Sequence, residues 1–423
     1  MAMNVIFASV DCLRPDVFDH RFYESLKASG SYYDTCITQA PFTSPSHTSM
    51  LSGLNPFNHG VRWLVDYETD ATLLPEILSE QGYNTVGFTG GYPLPTGNIP
   101  DAFDEFHHIT PMEDRMEGRG DEFGPVNLLV NRAVNWLDDR EGEDNFVFIH
   151  SFDLHLTLRS EFGKREKPDF DENNVYENVE QYIGRYQRRY REEANFVSRQ
   201  LENLHELVDI DISVITGDHG SKMPGEHGYP WVYDSEGNRV GSQFRAVELY
   251  DNLIRVPLVF SGGPFDDKTV HEQVRSIDIV PTLLDALDID SPETDGKTLL
   301  DGNHPKFAYS ETYHGQLTKK NKLTHKMNEQ YDFGWNDLDS LVSLRSNEWK
   351  LICTANGELE PVELYHIAQD PGEERNLIND EDEVAGEYFD DLQAMLTDDQ
   401  QMYVTADEVT QATKDRLEDL GYL

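Results

Sequence analysis

Basic residues are scarce in this chain. Lysine and arginine together number 34 in 423 residues, against 79 aspartates and glutamates, so the formal net charge at pH 7 is −45. That balance disfavours nucleic acid and anionic membranes as partners, because both would repel the protein. Cysteine is nearly absent too. Cys12, Cys36 and Cys353 are odd in number, far apart and form no C-x-x-C pair, which excludes a disulfide framework and fits a reducing compartment. No run reaches the ~18–20 apolar residues that a membrane span needs. The start, MAMNVIFASVD, lacks a charged region followed by an apolar stretch and a cleavage site. The expectation is a soluble, cytoplasmic protein.

The acid is spread over every segment, among ordinary apolar strand runs, so the chain reads as folded rather than disordered. A folded chain with so much like charge repels itself unless salt screens it, and the Debye length shrinks from about 10 Å at 0.1 M to about 3 Å at 1 M. A salt-adapted protein is expected; lysine scarcity beside abundant acid resembles proteins of organisms with a high-salt cytoplasm, such as haloarchaea. The length allows one large domain with a smaller appendage, divided here into residues 1–310 and 311–423.

Strand and helix patterns alternate along the first part. NVIFASV (4–10) reads as a buried parallel strand running into Asp11-Cys12-Leu13-Arg14-Pro15-Asp16. ATLLPEILSEQG (71–82) has apolar residues at helical spacing and stops at Gly82, and NTVGFT (84–89) is again strand-like. FVFIH (146–150) leads into Ser151-Phe152-Asp153-Leu154-His155, a charged helical stretch covers 180–207, and DISVIT (211–216) delivers Gly217-Asp218-His219-Gly220. VPLVFSGG (256–263) closes the set of strands, and DIVPTLLDALDI (278–289) reads as a helix with Pro281 in its first turn. The rhythm predicts an α/β fold with a mainly parallel sheet sandwiched by helices. Asp11, Asp153 with His155, and Asp218 with His219 then all follow strand C-termini, the edge where open α/β sheets bind ligands. Acid enrichment explains a surface aspartate, but not His150, His155, His219 and His227 in these loops.

The stretch PFTSPSHTSMLSGLNPFNHGV (41–61) joins a hydroxyl residue and a proline turn to a short helix with a glycine stop, placing Thr43 at the helix start. Backbone N–H groups and the macrodipole make that end an address for a phosphate or sulfate ester.

D-x-L-R-x-D from Asp11, the Thr43–Val61 run, H-S-F-D-L-H from His150, T-G-D-H-G with G-E-H-G-Y from Thr216, N-L-I-R-V-P-L-V from Asn252, S-I-D-I-V-P-T-L-L-D from Ser276 and the Trp349–Leu377 stretch occur in one order along nearly the whole chain. In that order they resemble the sulfatase family of the alkaline phosphatase superfamily. The resemblance implies an alkaline phosphatase-like fold with a small C-terminal α+β subdomain. It also implies a divalent metal and an anionic ester substrate, small or carried on a glycan or lipid. Typical members hold a Cys or Ser, converted to formylglycine, within C-x-P-S-R. This chain has Thr43 there, with His47 in the arginine's place, so it is similar to the threonine variants of the superfamily, phosphodiesterases and phosphoglycerol transferases. Cys12 stands where a second metal-binding Asp commonly lies, and GGYPLPTG (90–97) shows no Lys/His pair.

A threonine hydroxyl is a poor nucleophile near neutral pH, and coordination to a divalent cation is the simplest activation. Asp11, Asp218 and His219 are the expected metal ligands, with Thr43 completing the site, and this donor set suits Mn²⁺, Zn²⁺, Mg²⁺ or Ca²⁺. His155, Lys222 and His227 are candidates for gripping the anion or protonating the leaving group. Asp153, His155 and His227 form a lower-ranked alternative as a second metal site. The expected reaction is ester hydrolysis through a Thr43 ester, with phosphorus favoured over sulfur. The alternatives are transfer to an acceptor hydroxyl, or a non-catalytic scaffold that binds acidic glycans or lipid head groups. The acidic stretches 110–125 and 156–185 should flank the mouth, and the lysine cluster within 312–340 reads as a loop reaching towards the anion.

Overall fold

The computed structural model describes residues 2–62, 68–91, 94, 97–109, 124–156, 179–223, 226–227, 231–233, 239–242, 248–313 and 340–405. The acidic and lysine-rich stretches expected near the mouth fall largely on 110–123, 157–178 and 314–339, outside the described residues.

The strands of the main sheet are β1 (Asn4–Val10), β2 (Ser31–Ile37), β3 (Asn84–Thr89), β4 (Glu105–His108), β5 (Asn145–Ser151) and β6 (Ile212–Gly217). A separate hairpin, β7 (Trp231–Tyr233) and β8 (Arg239–Ser242), precedes β9 (Arg255–Gly262), β10 (Lys268–Val270) and β11 (Val274–Arg275). The sheet order is β10-β2-β9-β6-β1-β5-β3-β4, with β11 on β2. Every pairing is parallel except those of β9, which runs antiparallel to both β2 and β6. The run 256–263, which closes the set of strands in the sequence, thus supplies the one antiparallel member of a mainly parallel sheet. A continuous apolar run buried on both faces looks the same in either direction, so periodicity cannot reveal it.

Alternation along β1 builds two cores. Ile6, Ala8 and Val10 point to one face, Val5 and Phe7 to the other. Helices α1 (Arg21–Lys27), α4 (Val126–Asp138) and α5 (Val179–Leu207) cover the first face through Phe22, Leu129, Ala133, Val197 and Leu201. Helices α2 (Thr43–Ser52), α3 (Leu74–Glu80) and α6 (Ile279–Ala286) cover the second through Met50, Leu74, Leu78 and Leu283. The result is an α/β sandwich.

A four-stranded antiparallel sheet, β12 (Ala308–Thr312), β13 (Leu341–Arg345), β14 (Lys350–Ala355) and β15 (Leu359–Tyr365), follows the sandwich. Helix α7 (Asp382–Met395) packs Tyr388 and Leu392 against Leu344, Leu351 and Leu364. Among the described residues no helix is long and apolar enough to cross a membrane.

Parallel register sets the position of the site. Val10 is level with Ser151 of β5 and Gly217 of β6, and Asp11 N–H donates to the Ser151 carbonyl at 2.9 Å. The turns after β1, β5 and β6 thus leave the sheet at the same level of its carboxyl edge.

Candidate active site

Three turns and one helix start converge at that edge. After β1 the chain reverses through Cys12 in the left-handed region (φ 62°), which leaves Asp11 fully buried beside β5 and β6. Asp218 follows β6 at once. Its Oδ1 accepts the Cys12 and His219 N–H groups at 3.1 and 2.8 Å, which fixes the carboxylate and leaves Oδ2 buried with no hydrogen-bond partner. Gly220 must be glycine, because a Cβ there would meet the Asn252 carbonyl at 2.2 Å where the loop packs on the turn of helix at Asp251–Ile254.

Helix α2 opens at Thr43 behind Phe42, whose backbone is extended and whose side chain makes no capping bond. The Thr43 hydroxyl donates to Asp11 Oδ2 at 3.2 Å. One turn on, His47 Nδ1–H donates to the Thr43 carbonyl at 2.7 Å, and Nε2 is left to accept the Ser9 hydroxyl at 2.9 Å. Burial, together with neighbouring His150, drives the His47 pKa well below its ordinary value, so this ring is neutral. An arginine in that place would have brought a positive charge.

His219 Nε2 lies 3.8 Å from Asp11 Oδ1 and 3.6 Å from Asp218 Oδ2. His150 Nε2 lies 3.6 Å from Asp11 Oδ2. Asp11 Oδ1, Asp218 Oδ2 and His150 Nε2 are all buried without a hydrogen-bond partner. Buried polar atoms are nearly always satisfied, so three orphans in one cluster point to a missing positive group. Two sets of donors have ligand atoms within 4.8 Å of one another: Asp11, Cys12 and His219, and His47, His150 and Asp218. Carboxylate oxygens and imidazole nitrogens in this arrangement fit a divalent cation.

The field of the cluster separates its two acids. Burial raises the Asp11 carboxyl, but His155, His150 and His219 outweigh it and hold Asp11 below the usual carboxylate range. Burial and the nearby Asp11 push Asp218 up to about 6. Burial lowers His219, and the two carboxylates more than reverse that, so its pKa is raised.

Of the residues singled out in the sequence, the structure brings Asp11, Thr43, Asp218 and His219 together. His155 stands beside them, stacked on Phe152 at 4.2 Å, with a pKa lowered by burial against the pull of Asp11. Lys222 is buried and ion-paired with Glu248, over the Tyr250 ring at 5.3 Å, so its charge is already met. His227 is exposed and packs edge-on to Tyr250. It lines a cavity of about 360 Å³ with Arg14, Glu226 and Arg255. Asp153 fastens α4, accepting the Val126 N–H at 3.0 Å and the Ser151 hydroxyl at 2.8 Å. The set Asp153, His155 and His227 is not among the ligand groups found in the described residues. His150 and Cys12 went unchosen by sequence reasoning as members of the site. The available signal for His150 was a lone imidazole closing an otherwise apolar strand.

The family model described as Sulfatase matches residues 8–289. Arylsulfatase K of Bos taurus is 22% identical over 418 residues, covering 84% of this chain and 73% of its own. A putative sulfatase from Bacteroides thetaiotaomicron superposes with a TM-score of 0.71 at 18% identity, covering 98% of this chain and 96% of its own. The phosphonate monoester hydrolase of Agrobacterium radiobacter does so with a TM-score of 0.66 at 17% identity, covering 97% and 98%.

Proposed function

Because the chain belongs to the sulfatase family of ester hydrolases, we propose that it is a metal-dependent hydrolase of phosphate esters, mono- or diesters, with Thr43 as nucleophile. The observation that carries this reading is the Thr43 hydroxyl, 3.2 Å from a buried carboxylate and beside three unsatisfied polar atoms. A divalent cation held by Asp11, Asp218 and His219 would stabilise the ionised hydroxyl and the charge on the ester. Asp11 Oδ2 accepts the Thr43 proton as Oγ1 bonds to phosphorus and the bond to the alcohol breaks. The N-terminus of α2 faces the oxygens of the central atom with its positive dipole end. The proton that Asp11 takes from Thr43 passes to the leaving alkoxide, with His155, beside the cluster, as its relay. Water then attacks phosphorus, its proton passing through the same groups to Thr43 Oγ1 as the Thr43–phosphorus bond breaks, which releases phosphate from a monoester and a phosphate monoester from a diester.

Threonine tilts this reading towards phosphorus. A formylglycine hydrate expels sulfate by breaking its own C–O bond, whereas a threonine ester needs a second attack at the central atom. Sulfate esters are the second reading, favoured by the arylsulfatase that aligns over 84% of this chain at 22% identity; a fold does not fix its substrate. The −45 charge supports activity in molar salt.

The test offers aryl phosphate monoesters, phosphodiesters and sulfates side by side in high salt with several metals. Thr43→Ala should fold normally and lose at least about 10⁴-fold in kcat, and Thr43→Ser should retain part of it. Intact-mass analysis after acid quench should find a phosphoryl adduct on Thr43. Strong sulfate preference with Thr43 unmodified, or a substantially active Thr43→Ala, would overturn the assignment.

A further inference from the structure

One residue before its end, β5 carries a histidine that the reaction above leaves unused. His150 is fully buried, and its Nδ1 lies 2.8 Å from Thr89 Oγ1. The Thr89 hydroxyl donates its one proton to the Gly91 carbonyl at 3.0 Å. With its proton so used, and the Gly91 N–H also donating to it at 3.2 Å, the oxygen accepts from the ring in the tautomer that carries the His150 proton on Nδ1, the one that leaves Nε2 open to a cation. Nε2 carries a bare lone pair, has no hydrogen-bond partner, and faces Asp11 Oδ2 at 3.6 Å. His219 repeats the arrangement: Nδ1–H donates to the Gly220 carbonyl at 2.8 Å, which leaves Nε2 as the nitrogen facing Asp11 and Asp218, at 3.8 and 3.6 Å.

Lone pairs aimed at carboxylates across such gaps repel unless a cation lies between them. A proton would draw the pair to about 3.2 Å or less, whereas two donors each ~2.1 Å from one ion stand up to ~4.2 Å apart. The observed 3.6–3.8 Å lies in the second range. His47 cannot serve in the same way, since both its nitrogens are engaged within the protein. Thr89 and Gly220 hold the two ligand rings as outer partners hold metal-bound histidines.

We infer that His150 is a further metal ligand, through Nε2, so that two imidazoles and two carboxylates face one ion and the site prefers Zn²⁺ to Ca²⁺. This rests on the reading of Asp11, Asp218 and His219 as metal ligands. Calcium favours an all-oxygen shell, whereas imidazole suits zinc, so each nitrogen shifts the preference the same way.

The experiment uses the full chain, stripped of metal and kept in molar KCl, titrated with Zn²⁺ and Ca²⁺ against competing chelators. The wild type should bind Zn²⁺ at least about 100-fold more tightly than Ca²⁺. His150→Ala should weaken Zn²⁺ about 10- to 100-fold while changing Ca²⁺ less than about threefold. Zinc-edge X-ray absorption on the wild type, which does not depend on any variant folding, should count two imidazoles. One imidazole in that spectrum, a Ca²⁺ preference, or unchanged Zn²⁺ affinity in folded His150→Ala would overturn the assignment while leaving the metal reading intact. A wild type that binds neither ion would overturn both.

Discussion

Two of the groups of buried ionisable residues in this molecule are built on opposite principles. At the junction with the smaller sheet, Asp251 accepts two bonds from Arg345, at 2.9 and 2.7 Å, and one from Lys350 at 2.9 Å. Lys350 also donates to the Leu249 carbonyl and pairs with Glu373, while Arg345 donates to Gln273 and to the Ser346 carbonyl. Two cations meet two anions, and the donors are used. At the carboxyl edge of the main sheet, Asp11 and Asp218 have imidazoles but, among the described residues, no lysine or arginine against them, and Asp11 Oδ1, Asp218 Oδ2 and His150 Nε2 make no hydrogen bond. Burial of charge is common to both; Glu373 Oε1 also makes no hydrogen bond, but it has the Lys350 ammonium against it, whereas the edge atoms lack any lysine or arginine beside them among the described residues. The deficit, more than the shifted pKa values, is what marks the site.

The contrast breaks most sharply when one acid is removed from each group. Asp251→Ala strands Arg345 and Lys350 without their shared carboxylate, and loss of one partner from a buried ion pair costs about 3–5 kcal/mol. Denaturant melts of that variant should show this loss while metal affinity per folded molecule stays at the wild-type value. Asp218→Asn should do the reverse. Its remaining oxygen still accepts the Cys12 and His219 N–H groups, and removing a negative charge beside Asp11 should leave the metal-free fold as stable as the wild type or about 1 kcal/mol more so. Metal binding should fall at least about 100-fold and turnover with it. A metal-free Asp218→Asn destabilised as much as Asp251→Ala would mean that both clusters are structural.

Metal removal gives the next effect in size. A ligand that binds only the native state stabilises it by about 2.7 kcal/mol at 100 times its Kd. Adding the preferred ion should therefore raise the melting point of wild type and of Glu373→Gln alike, and should not raise that of Asp218→Asn. An equal rise in all three would place the ion elsewhere.

Much of this division was legible in the sequence, for a physical reason. Asp11, Asp218 and His219 each follow directly on an apolar strand run, and parallel strands in register must deliver their ends to one edge, so local pattern alone brings them together. Thr43 is legible through its helix start. His150 is hidden because it is still part of a strand, and a single polar residue at the end of FVFIH looks like any strand terminus. Lys222 looked free for an anion, and its partner Glu248 lies 26 residues further on, which no local pattern connects. The direction of β9 was illegible for the same reason that made its burial obvious. The junction network was wholly invisible: Asp251, Arg345, Lys350 and Glu373 come from separate segments, and only the packing of one sheet on the other pairs them.

The smallest effect concerns how completely the junction is satisfied. Burial, with Asp251 adding to it, raises the Glu373 carboxyl from its usual range to about 7, against the pull of Lys350. Asp251 goes the other way: burial raises it, but Arg345 and Lys350 overcome that and hold it well below the usual range. The junction therefore keeps Asp251 ionised throughout neutral pH while Glu373 titrates there. A carboxyl whose folded pKa lies above its unfolded value binds its proton more tightly when folded, so its contribution to stability is fully present below about pH 4.5 and is lost as pH rises through about 7. Glu373→Gln removes that proton exchange and keeps a polar side chain opposite Lys350. Between pH 5 and pH 8 the wild type should therefore lose about 2 kcal/mol of stability relative to Glu373→Gln, measured by urea melts at fixed salt. Asp251 contributes nothing to this window, because its own loss of stability begins only in acid. A difference between the two proteins that stays constant from pH 5 to pH 8 would show Glu373 ionised throughout, and the junction as completely paired as its geometry first implies.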